Sequence, residues 1–329
     1  MTRYWRWFTI AWLWPLAISA ATELHAQAES YPGKAVKIVA DSAAGSTPDV
    51  VSRFIADGLT RIWGQQVLVV NHPGAGGSIG ARVAADSAPD GYTLYMPVLS
   101  TFVSLPGAAA NLPLQIPRDF TPIGFGAENP MFIAVPPVLG VTTLAELIAL
   151  AKKRPGEISY AATGVGRLTH LAGELLQSRA GIELLMIPYT GGPSHAVSDV
   201  TSGRVALIIE GYSGVAAAIR GGLVRPIAVA SVQRLPEFPD LPTAAETIPG
   251  FAATGWQILV APVGTPEAII RKASENLRQV VGDPEFRKKL AKLGSYARPM
   301  SPAEVTAFVH GEQRTWKPVV ERIAAAKPH

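Results

Sequence analysis

The stretch VKIVADSAAGSTPDVVSRFIADGL, residues 36–59, predicts a strand, a loop and a helix in that order. Residues 36–40 form a short apolar run that is typical of a buried strand. Thr47 is the expected N-cap of the helix, with Pro48 at its first position and Asp49 in its first turn. The apolar face of this helix is expected to consist of Val50, Val51, Phe54, Ile55 and Leu59. A strand that leads through a polar loop into a helix is the repeating unit of α/β proteins.

The same unit recurs along the chain. Further strands are expected at residues 67–70, 93–96, 131–135, 158–161, 183–187, 205–209, 226–230 and 257–261. Helices are expected between most of them, for example at residues 170–179, and capping boxes that begin at Thr143 and Ser301 mark two other helix starts. This alternation predicts mostly parallel sheets with helices on both faces. Two series of such units predict an α/β protein of two domains.

Composition narrows the class of protein. With 329 residues, 48% of them hydrophobic and 16% charged, the chain is long and apolar enough for two packed domains. The net charge of +4 is spread along the sequence, and no basic stripe carries interleaved aromatic residues, so nucleic acid is not an expected partner. The chain contains no cysteine, which excludes disulfides, thiolate catalysis and cysteine-ligated metals.

Residues 1–28 have the features of an export signal. Arg3 and Arg6 give a positive start, and an almost wholly apolar run follows. Ala26 and Ala28 then form the small-x-small pattern of signal peptidase sites. A membrane anchor is the alternative, and it is less favoured because the run is short for a span of ~20 residues. We therefore predict a signal peptide at residues 1–28 and a soluble periplasmic protein.

Five loops after predicted strands consist mainly of small polar residues and glycine. They lie at residues 41–47, 73–78, 99–101, 163–166 and 189–192. In open parallel sheets, ligands bind outside the carboxyl ends of the strands, near helix starts. Glycine lets backbone N–H groups approach a ligand, and helix N-termini carry partial positive charge with unpaired donors. The loops therefore predict a site for a carboxylate, although any one of them taken alone is equally compatible with an ordinary turn.

No loop carries the pattern of a nucleotide or catalytic site. The glycines at residues 74–80 do not form G-x-G-x-x-G, since the last one comes a residue late, and no loop contains G-K-[ST]. The chain contains no G-x-S-x-G and no H-E-x-x-H, and its histidines are scattered. A triad of Ser100, His170 and an aspartate lacks any such motif. We therefore predict no catalytic residue, no cofactor and no metal site.

Several longer motifs resemble one protein family. The most specific is NHPGAGGSIG at residues 71–80. The others are APDGYTL at 88–94, DFTPIG at 119–124, HLAGE at 170–174, IPYTGG at 187–192, LPTAAE at 241–246 and APVGTP at 261–266. Together they resemble the Bug-type solute receptors of tripartite tricarboxylate transporters over nearly the whole mature chain.

The resemblance implies a periplasmic-binding-protein type II fold of the Venus-flytrap kind, with two α/β domains joined by two crossover strands. The crossovers are expected near residues 127–130 and 252–256. Domain 1 is then expected to comprise residues 31–127 and 255–329, and domain 2 residues 128–254. Trp256, near the second crossover, is expected to report domain closure by fluorescence, with a plain core aromatic as the alternative.

The resemblance also implies the ligand and the partners: a small organic, amino or aromatic acid held between the domains, and the membrane permease subunits of the transporter. Carried over by position, contacts in the first domain fall on Ser42, Gly45, Ser46, Thr47, Gly76, Gly77, Ser78, Ser100 and Thr101. Those in the second fall on Gly164, Gly166, Thr169, His170, Gly191 and Gly192. A receptor for a sensor kinase or another transporter class stays an alternative, as does a periplasmic enzyme on the same fold.

Two positions depart from the family pattern. Asp41 begins a loop in which members commonly have Pro-Gly-Gly and no aspartate, and Glu210 with Gly211 stands where Asp-Asn is common. We include Glu210 among the expected ligand-binding residues. A buried anionic ligand beside two carboxylates is costly unless water or a ligand amine intervenes. Our hypothesis is that the solute carries few negative charges, or also a cationic group.

Overall fold

The computed structural model describes residues 31–103 and 114–325. The predicted signal peptide lies outside the described residues. The first part of the chain forms three parallel strands with intervening helices, followed by one long strand. In chain order the elements are β1 (Val36–Ala40), α1 (Thr47–Trp63), β2 (Val67–Asn71), α2 (Ser78–Ala85), β3 (Thr93–Met96), α3 (Leu99–Phe102) and β4 (Phe120–Val135). β1 lies between β2 and β3.

The middle of the chain repeats this arrangement. Its elements are α4 (Leu144–Lys153), β5 (Ser159–Ala162), α5 (Leu168–Ala180), β6 (Leu185–Pro188), α6 (Pro193–Thr201), β7 (Leu207–Gly211), α7 (Tyr212–Arg220) and β8 (Arg225–Val229). β5 lies between β6 and β7 and is parallel to both. We call the part built on β1–β3 the first lobe and the part built on β5–β8 the second lobe.

Two long strands run from one lobe to the other. β9 (Thr254–Pro262) lies beside β3 and pairs antiparallel with β4 from Phe120 to Pro130. Beyond Pro130, β4 pairs with β7 and β8 instead. The strand order is therefore β2-β1-β3-β9-β4-β7-β5-β6, with β8 also beside β4. The predicted α/β fold with two crossover strands is confirmed, and these crossovers are β4 and β9.

Three helices complete the described chain: α8 (Glu267–Gly282), α9 (Pro284–Ala291) and α10 (Pro302–Ala325). In the first lobe Ile55 and Leu59 of α1 pack with Leu277 of α8. In the second lobe Tyr160 is fully buried on β5, and a Cβ atom at Gly173 of α5 would lie 2.8 Å from its hydroxyl. Among the described residues, no helix is long and apolar enough to span a membrane.

Most element predictions are confirmed, including the capping boxes at Thr143 and Ser301. The prediction that Thr47 is the N-cap of α1 is wrong. Ser46 has the extended backbone of the N-cap (φ −72, ψ 161), and its hydroxyl donates to the carbonyl of Ala43. Thr47 is the first helical residue, and its side chain is therefore left available for contacts outside the helix.

A second difference concerns the start of α5. This helix begins at Leu168, two residues before the predicted start, and its first turn therefore includes Thr169 and His170. The loop in front of it is short because Gly164 and Gly166 both adopt positive φ, 134 and 76. Such angles suit glycine and turn the chain tightly from β5 into the helix.

Candidate functional site

A cavity of about 410 Å³ lies between the two lobes. Its walls come from the loops at the carboxyl ends of strands in both lobes and from the crossover strands. The lining residues are Asp41, Ala43, Ser46, Thr47, Pro48, Pro73, Gly74, Ala75, Gly76, Val98, Leu99, Ser100, Asn129, Met131, Thr163, Gly164, Val165, Arg167, Leu168, Thr169, Thr190, Gly192, Pro193, Glu210, Gly255, Trp256 and Gln257. All five loops that the sequence analysis selected therefore reach the cavity.

Half of the predicted ligand-binding residues line the cavity themselves. They are Ser46, Thr47, Gly76, Ser100, Gly164, Thr169, Gly192 and Glu210. The other half belong to the same loops and helix starts without lining it. They are Ser42, Gly45, Gly77, Ser78, Thr101, Gly166, His170 and Gly191.

Some residues of the second group hold the loops in place. A Cβ atom at Gly77 would lie 2.8 Å from Asp41 Oδ2 and closer still to Thr101, so glycine permits the close approach of these loops. The Gly166 amide donates to His170 Nδ1 at 3.1 Å. Burial lowers the pKa of His170, and Glu174 Oε1, 3.8 Å from its Nε2, opposes this shift. Because its Nδ1 accepts this backbone hydrogen bond, His170 stabilises the loop, and it does not line the cavity.

Asp41 follows β1 directly and is completely buried. Its Oδ2 atom accepts hydrogen bonds from Tyr95 at 2.9 Å and Thr101 at 3.2 Å. Its Oδ1 atom has no hydrogen-bond partner among the residues that the structure describes. Burial raises the pKa of Asp41 above its usual range, and the positive charge of Arg167 is the strongest opposing influence. The cavity wall therefore contains a carboxylate oxygen that lacks a donor.

Glu210 stands near the end of β7, on the opposite lobe, and is 5% exposed. The Thr163 hydroxyl donates to its Oε2 at 2.8 Å, and the Gly211 amide donates to its Oε1 at 2.8 Å. Thr163 in turn donates its amide to the hydroxyl of Thr169 in α5. Burial raises the pKa of Glu210 although these two hydrogen bonds and the charge of Arg167 oppose the shift.

Arg167 is a cavity-lining residue that the sequence analysis missed. It precedes α5, and its Nη2 donates to the backbone carbonyl of Asp41 at 3.2 Å, across the cavity from its own lobe. Its Nη1 is buried and unpartnered within the described part of the chain. Its charge acts on Asp41 and on Glu210, which face the cavity from different lobes. The sequence analysis considered backbone N–H groups and helix N-termini as donors, and it therefore overlooked one guanidinium.

Gln257 is a second missed residue, and it comes from the crossover strand β9. The Asn129 amide donates to Gln257 Oε1 at 2.7 Å, and the Ser295 hydroxyl donates to Asn129 Oδ1 at 2.7 Å. This chain of hydrogen bonds orients the amide so that Nε2 is the free end. Gln257 is fully buried, and its Nε2 has no partner among the described residues. The cavity therefore has an oriented amide donor on its crossover wall.

The lobes touch each other beside the cavity. The hydroxyls of Thr47 and Ser213 are 2.5 Å apart, and they join α1 of the first lobe to α7 of the second. Gly211 packs so closely on Thr47 that a Cβ atom there would lie 3.0 Å from the Thr47 Cβ. With the bond from Arg167 to Asp41, these contacts join the two lobes beside the cavity.

The site combines hydrogen-bond donors with apolar lining residues. α1 begins at the cavity with Thr47 and Pro48, α6 begins there with Pro193, and α5 begins there with Leu168 and Thr169, so helix N-termini of both lobes reach it. Such N-termini favour anions. The described residues contain no cluster of three or more metal-ligating side chains. This arrangement is suited to enclosing a small polar solute.

Two α/β lobes, two crossover strands and a cavity between the lobes are the architecture of two-lobed solute-binding proteins. Residues 51–325 match the family model described as tripartite tricarboxylate transporter family receptor. The chain belongs to this family.

Named relatives agree with this assignment. The chain is 34% identical over 301 residues to Protein BugT of Bordetella pertussis, which covers 91% of this chain and 92% of that protein. It is similar to a solved structure of R. palustris Rpa4515 with adipate, with TM-score 0.83 and 30% identity over 88% of this chain and 97% of that one. MatC from Rhodopseudomonas palustris with bound malate gives TM-score 0.79 and 28% identity over 88% and 100% of the two chains.

Proposed function

We propose that this chain is a periplasmic receptor that captures a small carboxylate between its two lobes and delivers it to the membrane subunits of a tripartite tricarboxylate-type transporter. The observation that carries the proposal is a set of unpartnered polar atoms on the cavity wall. Arg167 Nη1, Gln257 Nε2 and Ser100 Oγ each lack a hydrogen-bond partner within the described residues. Buried polar groups without partners are uncommon, and a bound carboxylate supplies acceptors for all three.

The relatives support the same ligand class. Rpa4515 was solved with adipate and MatC with malate, and both compounds are carboxylates. We propose that the eight lining residues among the predicted set contact the solute, together with Arg167 and Gln257. The eight others are proposed to shape the loops that carry these contacts. The domain boundaries proposed from the sequence, after residues 127 and 254, fall within β4 and β9.

Capture without chemistry is part of the proposal. The closed lobes hide the solute from water, and opening about β4 and β9 would release it to a permease. Within the described residues no histidine lines the cavity, and His170 Nδ1 accepts a hydrogen bond from the Gly166 amide. We expect the receptor to return its ligand unchanged.

Calorimetric titration of the purified mature protein with carboxylic acids of about four to eight carbons tests the proposal. A ligand at a hundredfold its dissociation constant should stabilise the protein by about 2.7 kcal/mol in a thermal unfolding experiment. NMR of the released solute should show an unaltered compound. If no carboxylate in the series binds, or if the compound is converted, the proposed function is wrong.

A further inference from the structure

The charges around the cavity are unbalanced. The charged side chains that line it, within the described residues, are Asp41, Arg167 and Glu210. Two of them are acids and one is a base, and the two acids are completely or almost completely buried, with exposures of 0% and 5%. A dicarboxylate would add two negative charges to this surround, whereas a ligand with one carboxylate and one ammonium group would add none. Desolvated charges without compensation are costly.

Three of the unpartnered atoms on the cavity wall, within the described residues, are of two opposite kinds. Arg167 Nη1 and Gln257 Nε2 are donors only, and each needs an acceptor such as a carboxylate oxygen. Asp41 Oδ1 is an acceptor when the side chain is ionised, and it needs a donor. A deprotonated ligand carboxylate has no hydrogen to donate, so it does not satisfy Asp41. An ammonium group donates hydrogen bonds and can satisfy Asp41, and its positive charge is attracted to the ionised carboxylate.

The surroundings of Asp41 make it a fixed acceptor. Tyr95 donates to Oδ2, and the Thr101 hydroxyl, which also contacts the Val98 carbonyl, lies 3.2 Å from the same oxygen. These contacts orient the carboxyl group and leave Oδ1 without a partner among the described residues. Both hydroxyls are buried along with it, so water does not replace them easily. Arg167 contacts only the backbone carbonyl of Asp41, and no hydrogen bond from the guanidinium to its carboxylate is formed. The guanidinium therefore keeps Nη1 for the ligand.

We propose that the solute is an aminocarboxylate, a monocarboxylate that also carries a cationic amine, with the carboxylate bound by Arg167 and Gln257 and the amine bound by Asp41. This rests on the proposed function, of which it names the ligand class. Glu210, on the opposite lobe, is a second carboxyl group on the cavity wall and offers a further acceptor to a cationic group. The serine hydroxyl at Ser100 serves either end of the ligand, since it both donates and accepts.

Titration of the wild-type protein with matched five-carbon compounds tests the proposal. The series is pentanoate, glutarate, 2-aminopentanoate and 5-aminopentanoate. One of the two amino compounds should bind at least about tenfold more tightly than pentanoate and glutarate, because a hydrogen bond to a charged group is worth that factor or more. In Asp41→Asn this preference over pentanoate should fall by about tenfold or more. Asp57→Asn, an exposed aspartate on α1, is the matched control and should keep the preference.

Each outcome of the titration supports or contradicts one of the two proposals. Tighter binding of glutarate than of both amino compounds would mean that Asp41 binds as a neutral acid, and it would overturn the proposal while leaving the proposed function intact. Tightest binding of pentanoate would do the same. No binding of any of the four would count against the proposed function itself. If Asp41→Asn does not fold, as judged by circular dichroism, the ranking in the wild type still decides the matter.

Discussion

The hydroxyls of Thr47 and Ser213 lie 2.5 Å apart although 166 positions separate the two residues in the chain. One belongs to the start of α1 and the other to the first turn of α7, so the hydrogen bond joins the two lobes directly beside the cavity. Thr47 reaches it because Ser46, and not Thr47, is the N-cap of α1. The contact between the lobes therefore includes tight packing around one threonine side chain.

Gly211→Ala should weaken ligand binding by about tenfold or more, because a methyl group cannot fit against Thr47 when the lobes are closed. The added Cβ atom would lie 3.0 Å from the Thr47 Cβ. The backbone of Gly211 (φ −63, ψ 146) suits any residue, so the substitution disturbs only this contact between the lobes. Calorimetric titration measures the affinity, and small-angle X-ray scattering should show that the variant stays open with ligand present.

Gly282→Ala is the matched control for this experiment. A Cβ atom at Gly282 would meet no atom within 4 Å, and the residue ends α8 away from the cavity. Affinity and scattering should stay as in the wild type. Should Gly211→Ala bind as tightly as Gly282→Ala, the closed contact between Gly211 and Thr47 would not be part of the bound state.

Arg167→Gln should weaken carboxylate binding by roughly 10- to 150-fold, the range expected when a hydrogen bond to a charged group is lost. The substitution removes the unpartnered Nη1 donor and also the bond from Nη2 to the Asp41 carbonyl. Arg167→Lys should recover only part of the affinity, since an ammonium group does not reproduce the two donors of a guanidinium. Dissociation constants from calorimetry give the comparison.

Arg179→Gln provides the control, because Arg179 is an exposed arginine at the other end of the same helix, α5. It should bind ligand as the wild type does. Equal affinity in the Arg167 and Arg179 variants would remove Arg167 from the binding site and would leave its Nη1 atom without a role.

The helices and strands around the cavity can be predicted from local sequence, whereas the charged interactions on its wall cannot. Strand, loop and helix patterns depend on neighbours a few residues away, so Val36–Ala40 and the helix after it are evident from the sequence alone. Arg167 has no such pattern: a basic residue before a helix is ordinary on a surface. The relay from Ser295 through Asn129 to Gln257 joins residues 166 and 128 positions apart, and only the folded crossover strands bring them together.

Asp41 and Glu210 illustrate the part that sequence comparison does supply. Both were recognised as departures from the family pattern, and both line the cavity. What sequence alone did not show is that Arg167 acts on each of them, or that Asp41 keeps one oxygen free. These properties depend on burial and on which side chains already occupy the hydrogen-bonding positions.

Glu210→Gln should change how stability depends on pH. Burial raises the folded-state pKa of Glu210, so between the ordinary carboxyl pKa and this raised value the folded protein holds a proton that the unfolded chain releases. The free energy of unfolding of the wild type therefore falls as pH rises through this window. Glutamine carries no such proton. The unfolding free energy of Glu210→Gln minus that of the wild type should thus increase with pH across the window and become level above it.

Urea unfolding at a series of pH values from about 4 to 8 measures this difference. Asp41 is present in both proteins, so its own titration largely cancels. Glu183→Gln, an exposed carboxyl in front of β6, is the control and should leave the pH dependence of the wild type in place. A difference between Glu210→Gln and the wild type that stays constant across the range would contradict the expected effect of burial on Glu210.

Trp256 should report ligand binding by fluorescence. Trp256 lines the cavity and is 2% exposed, and its indole donates from Nε1 to Glu312 Oε2 at 2.9 Å. A ligand that displaces water from the cavity changes the polarity beside this ring, so addition of ligand should shift the tryptophan emission of the wild type. Trp256→Phe should lose the shift and still bind ligand in calorimetry, since the substitution keeps an aromatic side chain in the wall.

Trp63→Phe is the matched control for the fluorescence experiment. Trp63 ends α1 and donates from Nε1 to Asn276 of α8, remote from the cavity, so this variant should keep the full ligand-induced shift. The two variants together separate a signal from the cavity wall from one due to general tightening of the first lobe. If Trp256→Phe retained the shift and Trp63→Phe lost it, the fluorescence change would come from the core of the first lobe. Trp256 on the crossover strand would then not be the reporter of ligand binding.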